Sequence, residues 1–159
     1  MSVAEGSVQS GAVRFAIVAA KFNREIVDKL VDGALAGFKQ HGVKDDAIDL
    51  VRVPGSVEVP LVCQKLAASG KYAAIIALGA VIRGDTDHYD YVCQAATTGV
   101  LQAGLTTGVP VIFGILTCQT EELALARAGG AEGNKGFDVA VVALEMADLL
   151  RKLDPLSKS

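Results

Sequence analysis

The chain is 159 residues long, carries a formal net charge of −3 and has a sequence pI of about 5.3. This acidic balance excludes the basic surface on which nucleic-acid binding depends, and no apolar run approaches the roughly 18 residues that a membrane span requires. Hydrophobic residues make up 51% of the chain, with 17 glycines besides, which is more apolar material than one small core needs and predicts an obligate oligomer.

The amino-terminal half alternates apolar strands with amphipathic helices. The continuous apolar run 13–20 predicts a strand covered on both faces, and Asn23 is placed to cap the helix that follows it. That helix carries apolar residues at three- and four-residue spacing and ends at Gly42. A second strand, 47–53, precedes a shorter helix that runs to about Gly70.

The carboxyl-terminal half continues the alternation. The most apolar stretch, 72–82, predicts a buried third strand, and a helix follows it over 89–106. A fourth strand is predicted at 110–116, followed by two helices at 120–129 and 137–153. Because the segments between the strands are long enough for crossovers, the pattern predicts an α/β fold, a three-layer sandwich around a four-stranded parallel sheet.

The whole chain, 1–159, is predicted to form one domain with an irregular arm at 1–12 and an irregular tail at 154–159. The first dozen residues lack the basic start and apolar core of a signal peptide, which favours a cytoplasmic protein. Three cysteines at wide spacing, with no CxxC pattern, are typical of reduced core thiols. With only two histidines in the chain, no metal site is predicted.

Polar residues follow the predicted strands, at the edge where ligands bind in open parallel sheets. The charged segment 83–91 comes directly after the most apolar strand and contains the imidazole of His88. The strand ends together offer the side chains of Phe22, Asn23, Ser56, Glu58, Arg83, Asp85, Thr86, His88 and Phe113. Aromatic faces, hydroxyls, a carboxylate, an imidazole and backbone N–H groups beside glycine predict a site for a planar polar ligand and an anion.

Each of these residues also has an ordinary interpretation. His88 can be an exposed loop residue, and Phe22 and Phe113 can be core aromatics. Glu58 can simply favour the start of a helix, and the glycine-flanked Lys135 lies either in a plain turn or near a phosphate. The strand-to-helix turns lack the GxGxxG and GxxxxGK[ST] patterns, the acidic residues of a receiver domain and the hydroxyl-rich loop of an FMN site, which excludes those functions.

Five motifs in order carry a resemblance to a known family. They are "FN" at 22–23, "VPGSVEVP" at 53–60, "GAVIRGDTDHYDYVC" at 79–93, "VIFGILT" at 111–117 and "RAGGAEGNKG" at 127–136. With these motifs the chain resembles the lumazine synthase family over nearly all of residues 13–152. The resemblance implies a flavodoxin-like fold.

The resemblance also implies a reaction and its cofactor requirement. The family is a family of transferases that condense 5-amino-6-(D-ribitylamino)uracil with 3,4-dihydroxy-2-butanone 4-phosphate to 6,7-dimethyl-8-ribityllumazine. Phosphate and water are released, in the penultimate step of riboflavin biosynthesis, and no metal or organic cofactor takes part. The alternative is a weakly catalytic or non-catalytic riboflavin- or lumazine-binding protein on the same scaffold.

By the same resemblance the site residues fall into three groups. His88 is implied as the proton-transfer residue, a role that suits imidazole because it titrates near neutrality. The residues implied to bind the pyrimidine and its ribityl chain are Phe22, Ser56, Val57, Glu58, Ala80, Val81, Ile82, Phe113 and Lys135. Those implied to bind the phosphate are Gly84, Asp85, Thr86 and Arg127. Phe113 and Arg127 are implied to come from a neighbouring subunit.

Two site positions depart from the family pattern. Val57 stands where many relatives carry an aromatic residue, which predicts thinner contact with the ribityl chain. Asp85 is an unusual side chain beside a phosphate and is compatible with that place if only its backbone N–H faces the ligand.

The resemblance finally implies an assembly. The chain is expected to form a homopentamer with active sites between subunits, and the amino-terminal arm is expected to add a strand to the neighbour's sheet. The short, glycine-marked segment 128–136 between the last two helices favours further assembly into an icosahedral shell of twelve pentamers. Small-molecule substrates are the predicted ligands, and riboflavin synthase is a further partner to test.

Overall fold

The computed structural model describes residues 1–8 and 12–154, so most of the predicted tail lies outside the described residues. The strands are β1 (Phe15–Ala20), β2 (Ile48–Val53), β3 (Ala74–Ile82), β4 (Val111–Cys118), β5 (Ala128–Gly130) and β6 (Gly133–Asn134). The helices are α1 (Arg24–Gln40), α2 (Val59–Ala68), α3 (His88–Thr107), α4 (Glu121–Ala126) and α5 (Lys135–Leu153). A 3-10 turn, Asp45–Ala47, leads into β2.

The first four strands form one sheet in the order β2-β1-β3-β4, and every neighbouring pair is parallel. This confirms the predicted four-stranded parallel sheet. The register places Ala20 of β1 beside Val53 of β2, and Ile82 of β3 beside Cys118 of β4. The carboxyl ends of these strands therefore lie at one edge of the sheet, as the ligand-site prediction requires.

Apolar clusters cover both faces of the sheet and give the three predicted layers. α1 and α5 pack against one face, where the rings of Phe15 and Phe38 lie with centroids 4.9 Å apart. α2 and α3 pack against the other face, around residues such as Val59 and Ala96. Because both faces are covered, β1 is buried along its whole length, which explains why its sequence reads as a continuous apolar run.

The structure differs from two expectations. Asn23 stands at the amino-terminal cap position of α1, but its side chain makes no capping hydrogen bond and instead donates to Ala80 O, so the predicted side-chain cap is wrong. Between the last two helices, β5 and β6 form an antiparallel hairpin with Gly129 and Gly133 at positive φ, so the helix predicted over 120–129 ends earlier, at Ala126. Asn134 ends this hairpin and caps α5 by accepting from two backbone N–H groups of its first turn.

Residues 5–7 of the amino-terminal arm contact α5 of their own chain. Ser7 N donates to Asp148 Oδ2 at 2.7 Å, and Lys152 Nζ donates to Glu5 O at 3.0 Å. Pairing of the arm with a neighbouring subunit stays a prediction. Within the described residues, no helix combines the length and the apolar character needed to cross a membrane.

The three cysteines are free thiols, as predicted. Cys63 and Cys118 are buried, and Cys93 is half-buried. Burial in the core beneath α2 raises the pKa of the Cys63 thiol to about 12, because the thiolate would lose its hydration there. Cys63 therefore stays protonated at neutral pH and acts as a small core hydrophobe.

Candidate active site

A cavity of about 680 Å³ lies at the carboxyl edge of the sheet, where β1, β2 and β3 end. Its lining residues are Phe22, Pro54, Gly55, Ser56, Val57, Glu58, Ala80, Val81, Ile82, Gly84, Thr86, His88, Tyr89 and Val92. We refer to it as the first cavity. It is large enough for a bicyclic heterocycle with a polar side chain.

The segments that follow β1 and β2 form one wall of the first cavity. The ring of Phe22 is 71% exposed, so an open aromatic face borders the cavity. Ser56 is buried, whereas Val57 is 45% exposed on the same loop. Glu58 begins the turn into α2, its backbone N–H donating to Gly55 O at 3.2 Å. This wall therefore offers one apolar ring and two short polar side chains.

The end of β3 and the start of α3 form the opposite wall. Residues 80–82 end β3 and line the cavity, and they lie beyond Leu78, the last residue of β3 that pairs with β1. Gly84 follows, and the space where its side chain would stand is open. His88 is exposed and begins α3, with its backbone N–H donating to Thr86 Oγ1 at 3.3 Å. The imidazole and a glycine-containing loop with a hydroxyl thus lie together.

Arg83 shapes this loop without lining the first cavity. Its guanidinium contacts Asp90 at 2.9 Å and lies 4.5 Å above the ring of Tyr89, while its backbone N–H donates to Cys118 O at 3.0 Å. Burial raises the pKa of the Tyr89 phenol, and a hydrogen bond with Cys93 adds to the shift. Arg83 therefore ties the loop after β3 to the first turn of α3.

A second cavity of about 430 Å³ lies along β4, an edge strand of the sheet. Its lining residues are Phe113, Ile115, Leu116, Thr117, Cys118, Arg127, Glu132, Lys135 and Asp138. The β5–β6 hairpin brings two cations together there, because Lys135 N donates to Arg127 O at 2.8 Å. Phe113 was expected near the carboxyl end of its strand but lies within β4, paired with Ala77, because the strand continues to Cys118.

The structure divides the predicted site residues between these two cavities. The first cavity brings together Phe22, Ser56, Val57, Glu58, Ala80, Val81, Ile82, Gly84, Thr86 and His88. The second contains Phe113, Arg127 and Lys135, so Lys135 lies with the two residues that were expected from a neighbouring subunit. Asp85 is exposed and lines neither of them.

Some cavity residues were missed from the sequence. Pro54 and Gly55 were interpreted only as the end of the second strand, although any residue between a strand end and a polar motif is a candidate lining residue. Tyr89 and Val92 are three positions apart in α3, and Val92 is four positions after His88, so helical spacing indicates that Val92 lies beside both.

The two cavities differ in their charged side chains, and the second also contains the carboxylates of Glu132 and Asp138. No described residue that lines the first cavity is a lysine or arginine, whereas the second cavity holds Arg127 and Lys135. Arg127 Nη1 donates to Leu123 O at 3.1 Å, which leaves other guanidinium donors for an anion. Over residues 1–8 and 12–154, no group of three or more His, Cys, Asp or Glu side chains is arranged to hold a metal ion.

The fold is a parallel, flavodoxin-like α/β sheet with a cavity at its carboxyl edge, the place where open α/β proteins bind small molecules. The sequence model of the 6,7-dimethyl-8-ribityllumazine synthase family matches residues 12–151, which is most of the chain. The chain therefore belongs to the 6,7-dimethyl-8-ribityllumazine synthase family, a family of enzymes of riboflavin biosynthesis.

Proposed function

We propose that this chain condenses 5-amino-6-(D-ribitylamino)uracil with 3,4-dihydroxy-2-butanone 4-phosphate to form 6,7-dimethyl-8-ribityllumazine. The observation that carries the proposal is the first cavity, where an open aromatic ring, a strand edge, short polar side chains and an imidazole face one space. Membership of the family supports the same reaction. The condensation is the penultimate step of riboflavin biosynthesis.

The pyrimidine substrate binds between the two walls of the first cavity. Phe22 stacks on the planar ring, since its face is exposed beside the cavity. The backbone edge of residues 80–82 pairs with the amide groups of the pyrimidine, as one more strand would. Ser56 and Glu58 hydrogen-bond the hydroxyls of the ribityl chain, and Val57 contributes only an aliphatic contact.

The butanone phosphate binds where the first cavity of one chain meets the second cavity of a neighbouring chain. Backbone N–H groups beside Gly84 and the hydroxyl of Thr86 receive the phosphate oxygens. Arg127 of a neighbouring copy supplies a guanidinium that can bind this dianion with two hydrogen bonds. Lys135 of the same copy lies beside it, because the backbone of Lys135 is hydrogen-bonded to that of Arg127. The exposed Asp85 contributes at most its backbone N–H.

His88 transfers protons during the condensation. The amine of the pyrimidine attacks the ketone carbonyl, loss of water gives an imine, and elimination then expels phosphate before the second amine closes the ring with loss of water. Each step moves a proton on or off nitrogen, oxygen or carbon, and an exposed imidazole beside the phosphate loop can accept and return it. The protein holds both reactants in position for these steps.

The same proposal includes the assembly. In a homopentamer the second cavity of one chain lies against the first cavity of the next. Twelve such pentamers then assemble into an icosahedral shell. Support comes from apolar side chains that α3 leaves open, with Tyr91 70%, Leu101 60% and Leu105 75% exposed. The arm would leave α5 to pair with a neighbour's edge strand. Residues 1–159 then act as one domain.

The test is to mix the purified protein with both substrates and to follow lumazine fluorescence together with released phosphate. Equal amounts of the two products, above the uncatalysed background, are the expected result. Binding of riboflavin or lumazine without either product would reject the enzyme in favour of the carrier on the same scaffold. Absence of both binding and product would reject a ligand-binding role for the first cavity altogether.

A further inference from the structure

Asn23 has an unusual backbone conformation directly beside Phe22. Its φ is 57° and its ψ is 43°, and among residues 1–8 and 12–154 it is the one non-glycine residue with a positive φ. L-amino acids other than glycine disfavour this left-handed region, which asparagine tolerates better than most. The bend reverses the chain between β1 and α1 and leaves the ring of Phe22 exposed to solvent.

The side chain of Asn23 reaches across to the next strand instead of capping its helix. Nδ2 donates to Ala80 O at 2.7 Å, a contact between residues 57 positions apart. The regular pairing of β1 with β3 ends at Ala19 and Leu78, so this amide holds β3 beyond the point where the ladder stops. Asn23 does not itself line the first cavity, whereas Phe22 and Ala80 both do.

Phe22 is thereby anchored to both strands that flank β1. On one side its backbone N–H donates to Pro54 O at 3.1 Å, and on the other side its neighbour Asn23 holds Ala80 O. The residue is 71% exposed, so few side-chain contacts orient its ring, and these backbone anchors fix the direction of its Cα–Cβ bond. Loss of the Asn23 anchor would free the ring and the strand edge together.

We propose that Asn23 is a positioning residue that fixes the stacking ring of Phe22 and the pyrimidine-binding edge of β3 relative to each other. This inference rests on the proposed function, because it concerns the pyrimidine subsite of that reaction. Three demands meet at this position: a positive φ, a short side chain and a hydrogen-bond donor. Glycine meets the first alone, aspartate meets the first two, and alanine meets only the second.

The test compares Asn23→Gly and Asn23→Asp with wild type. In Asn23→Gly the backbone keeps its conformation at no steric cost while the hydrogen bond is lost, so we expect KM for 5-amino-6-(D-ribitylamino)uracil to rise about three- to tenfold. The kcat value and the KM of the butanone phosphate should change by less than about twofold, since His88 and the phosphate loop are untouched. In Asn23→Asp the KM for the pyrimidine should rise at least as much, because the carboxylate would face the Ala80 carbonyl.

Ser69→Gly is the matched control. It also removes a side-chain hydrogen bond to a backbone carbonyl, from Ser69 Oγ to Leu66 O at 2.6 Å, but it does so at the carboxyl end of α2, outside both cavities. Its kinetics should equal those of wild type. A wild-type KM for the pyrimidine in both Asn23→Gly and Asn23→Asp would overturn the positioning role.

A measurement without substrate separates this inference from the proposed function. With 4-fluorophenylalanine placed at position 22 alone, the ¹⁹F resonance should move toward the free amino acid value in Asn23→Gly and stay unchanged in Ser69→Gly. An unchanged resonance in Asn23→Gly overturns the inference. If wild type makes no lumazine, the proposed reaction fails, while the fluorine spectra still decide whether Asn23 positions the ring.

Discussion

Ser56 Oγ occupies the space directly above Gly79, at 2.5 Å from where an ideal Cβ atom on that glycine would stand. Gly79 lies within β3, and Ser56 is the buried polar residue of the loop that follows β2. The absence of a side chain at position 79 thus lets a hydroxyl sit on the strand at the floor of the first cavity. A real Cβ atom at that distance would force the serine, the strand or both to move.

We predict that Gly79→Ala lowers kcat/KM for the pyrimidine substrate by about ten- to a hundredfold. The added methyl group would displace Ser56, and a displacement of about 1 Å in a substrate-positioning group lowers reaction rates by this order. Steady-state kinetics with varied pyrimidine would measure it. Gly104→Ala in α3 is the matched control, since a Cβ atom there meets its neighbours at 3.4 Å or more. Unchanged kinetics in Gly79→Ala would show that Ser56 can move without loss and is not a ligand residue.

The second prediction concerns His88. We expect His88→Ala to reduce kcat by about a hundredfold, the low end of the usual range for an acid–base residue, since the cavity still orients both reactants. Binding of the pyrimidine, measured by equilibrium titration, should stay close to wild type because the stacking ring and the strand edge are intact. Full turnover in the mutant across the neutral pH range would remove His88 from the mechanism.

The third prediction concerns Arg127. Because charge-assisted hydrogen bonds are stronger than those between neutral groups, Arg127→Ala should lower kcat/KM for the butanone phosphate by about ten- to a hundredfold. Arg127→Lys should lose less, since it keeps the charge but not the bidentate fork. Pyrimidine binding serves as the internal control and should not change in either variant. Equal efficiency of all three proteins toward the butanone phosphate would place the phosphate elsewhere.

Much of the fold was predictable because buried strands leave a clear record in sequence. β1 and β3 are covered on both faces, so their residues are apolar without interruption, and the glycine and polar segments between them mark the turns. The position of the first cavity then followed from topology alone, because parallel strands bring their carboxyl ends to one edge. Assigning roles to Phe22 or Glu58 needed the family resemblance as well.

What the sequence did not reveal depends on contacts between distant residues. The partner of Asn23 is Ala80, and no local pattern distinguishes that contact from a helix cap. β5 and β6 are two or three residues long and rich in glycine, so they carry no hydrophobic period. That Lys135 lies with Arg127 and away from Phe22 follows from this hairpin, which only the tertiary structure shows.

The fourth prediction is a pH dependence at the opposite edge of the sheet. Tyr72 Oη donates to Asp49 Oδ2 at 2.5 Å, and Arg14 Nη2 contacts the same carboxylate at 2.9 Å. The tyrosine bond, and after it the arginine, lower the pKa of Asp49, while the same bond raises the pKa of Tyr72. The contribution of the bond is therefore present above the ordinary Asp pKa and is lost as the pH falls through the lowered one.

Tyr72→Phe should accordingly reduce the free energy of unfolding at neutral pH by up to about 1 kcal/mol, a small value because the pair is partly exposed. The difference from wild type should shrink toward zero as the pH falls below the lowered pKa of Asp49, and also at high pH once Tyr72 ionises above its raised pKa. Urea unfolding at several pH values measures it. Tyr91→Phe, on a side chain that is 70% exposed, is the control. A constant difference at every pH would mean that packing, not the bond, is responsible.

The fifth prediction addresses the division of the site between two chains. Light scattering should give a mass near that of five chains of 16.4 kDa or of a larger shell built from such rings. If neighbouring chains complete each other's sites, a monomer should have almost no activity, because its first cavity is lined by no lysine or arginine among the described residues. A fully active monomer of 16.4 kDa would contradict the shared site directly.

A mixing experiment tests the same division within the assembly. A His88→Ala chain keeps an intact second cavity and an Arg127→Ala chain keeps an intact first cavity, so either variant alone is impaired at every site. When the two are unfolded and refolded together in equal amounts, about one interface in four joins two intact halves, and activity should return to about a quarter of wild type. Variants refolded separately and then combined are the control and should stay at the level of the single mutants. If co-refolded chains form mixed oligomers yet recover nothing, His88 and Arg127 act within one chain and the two cavities do not form a joint site.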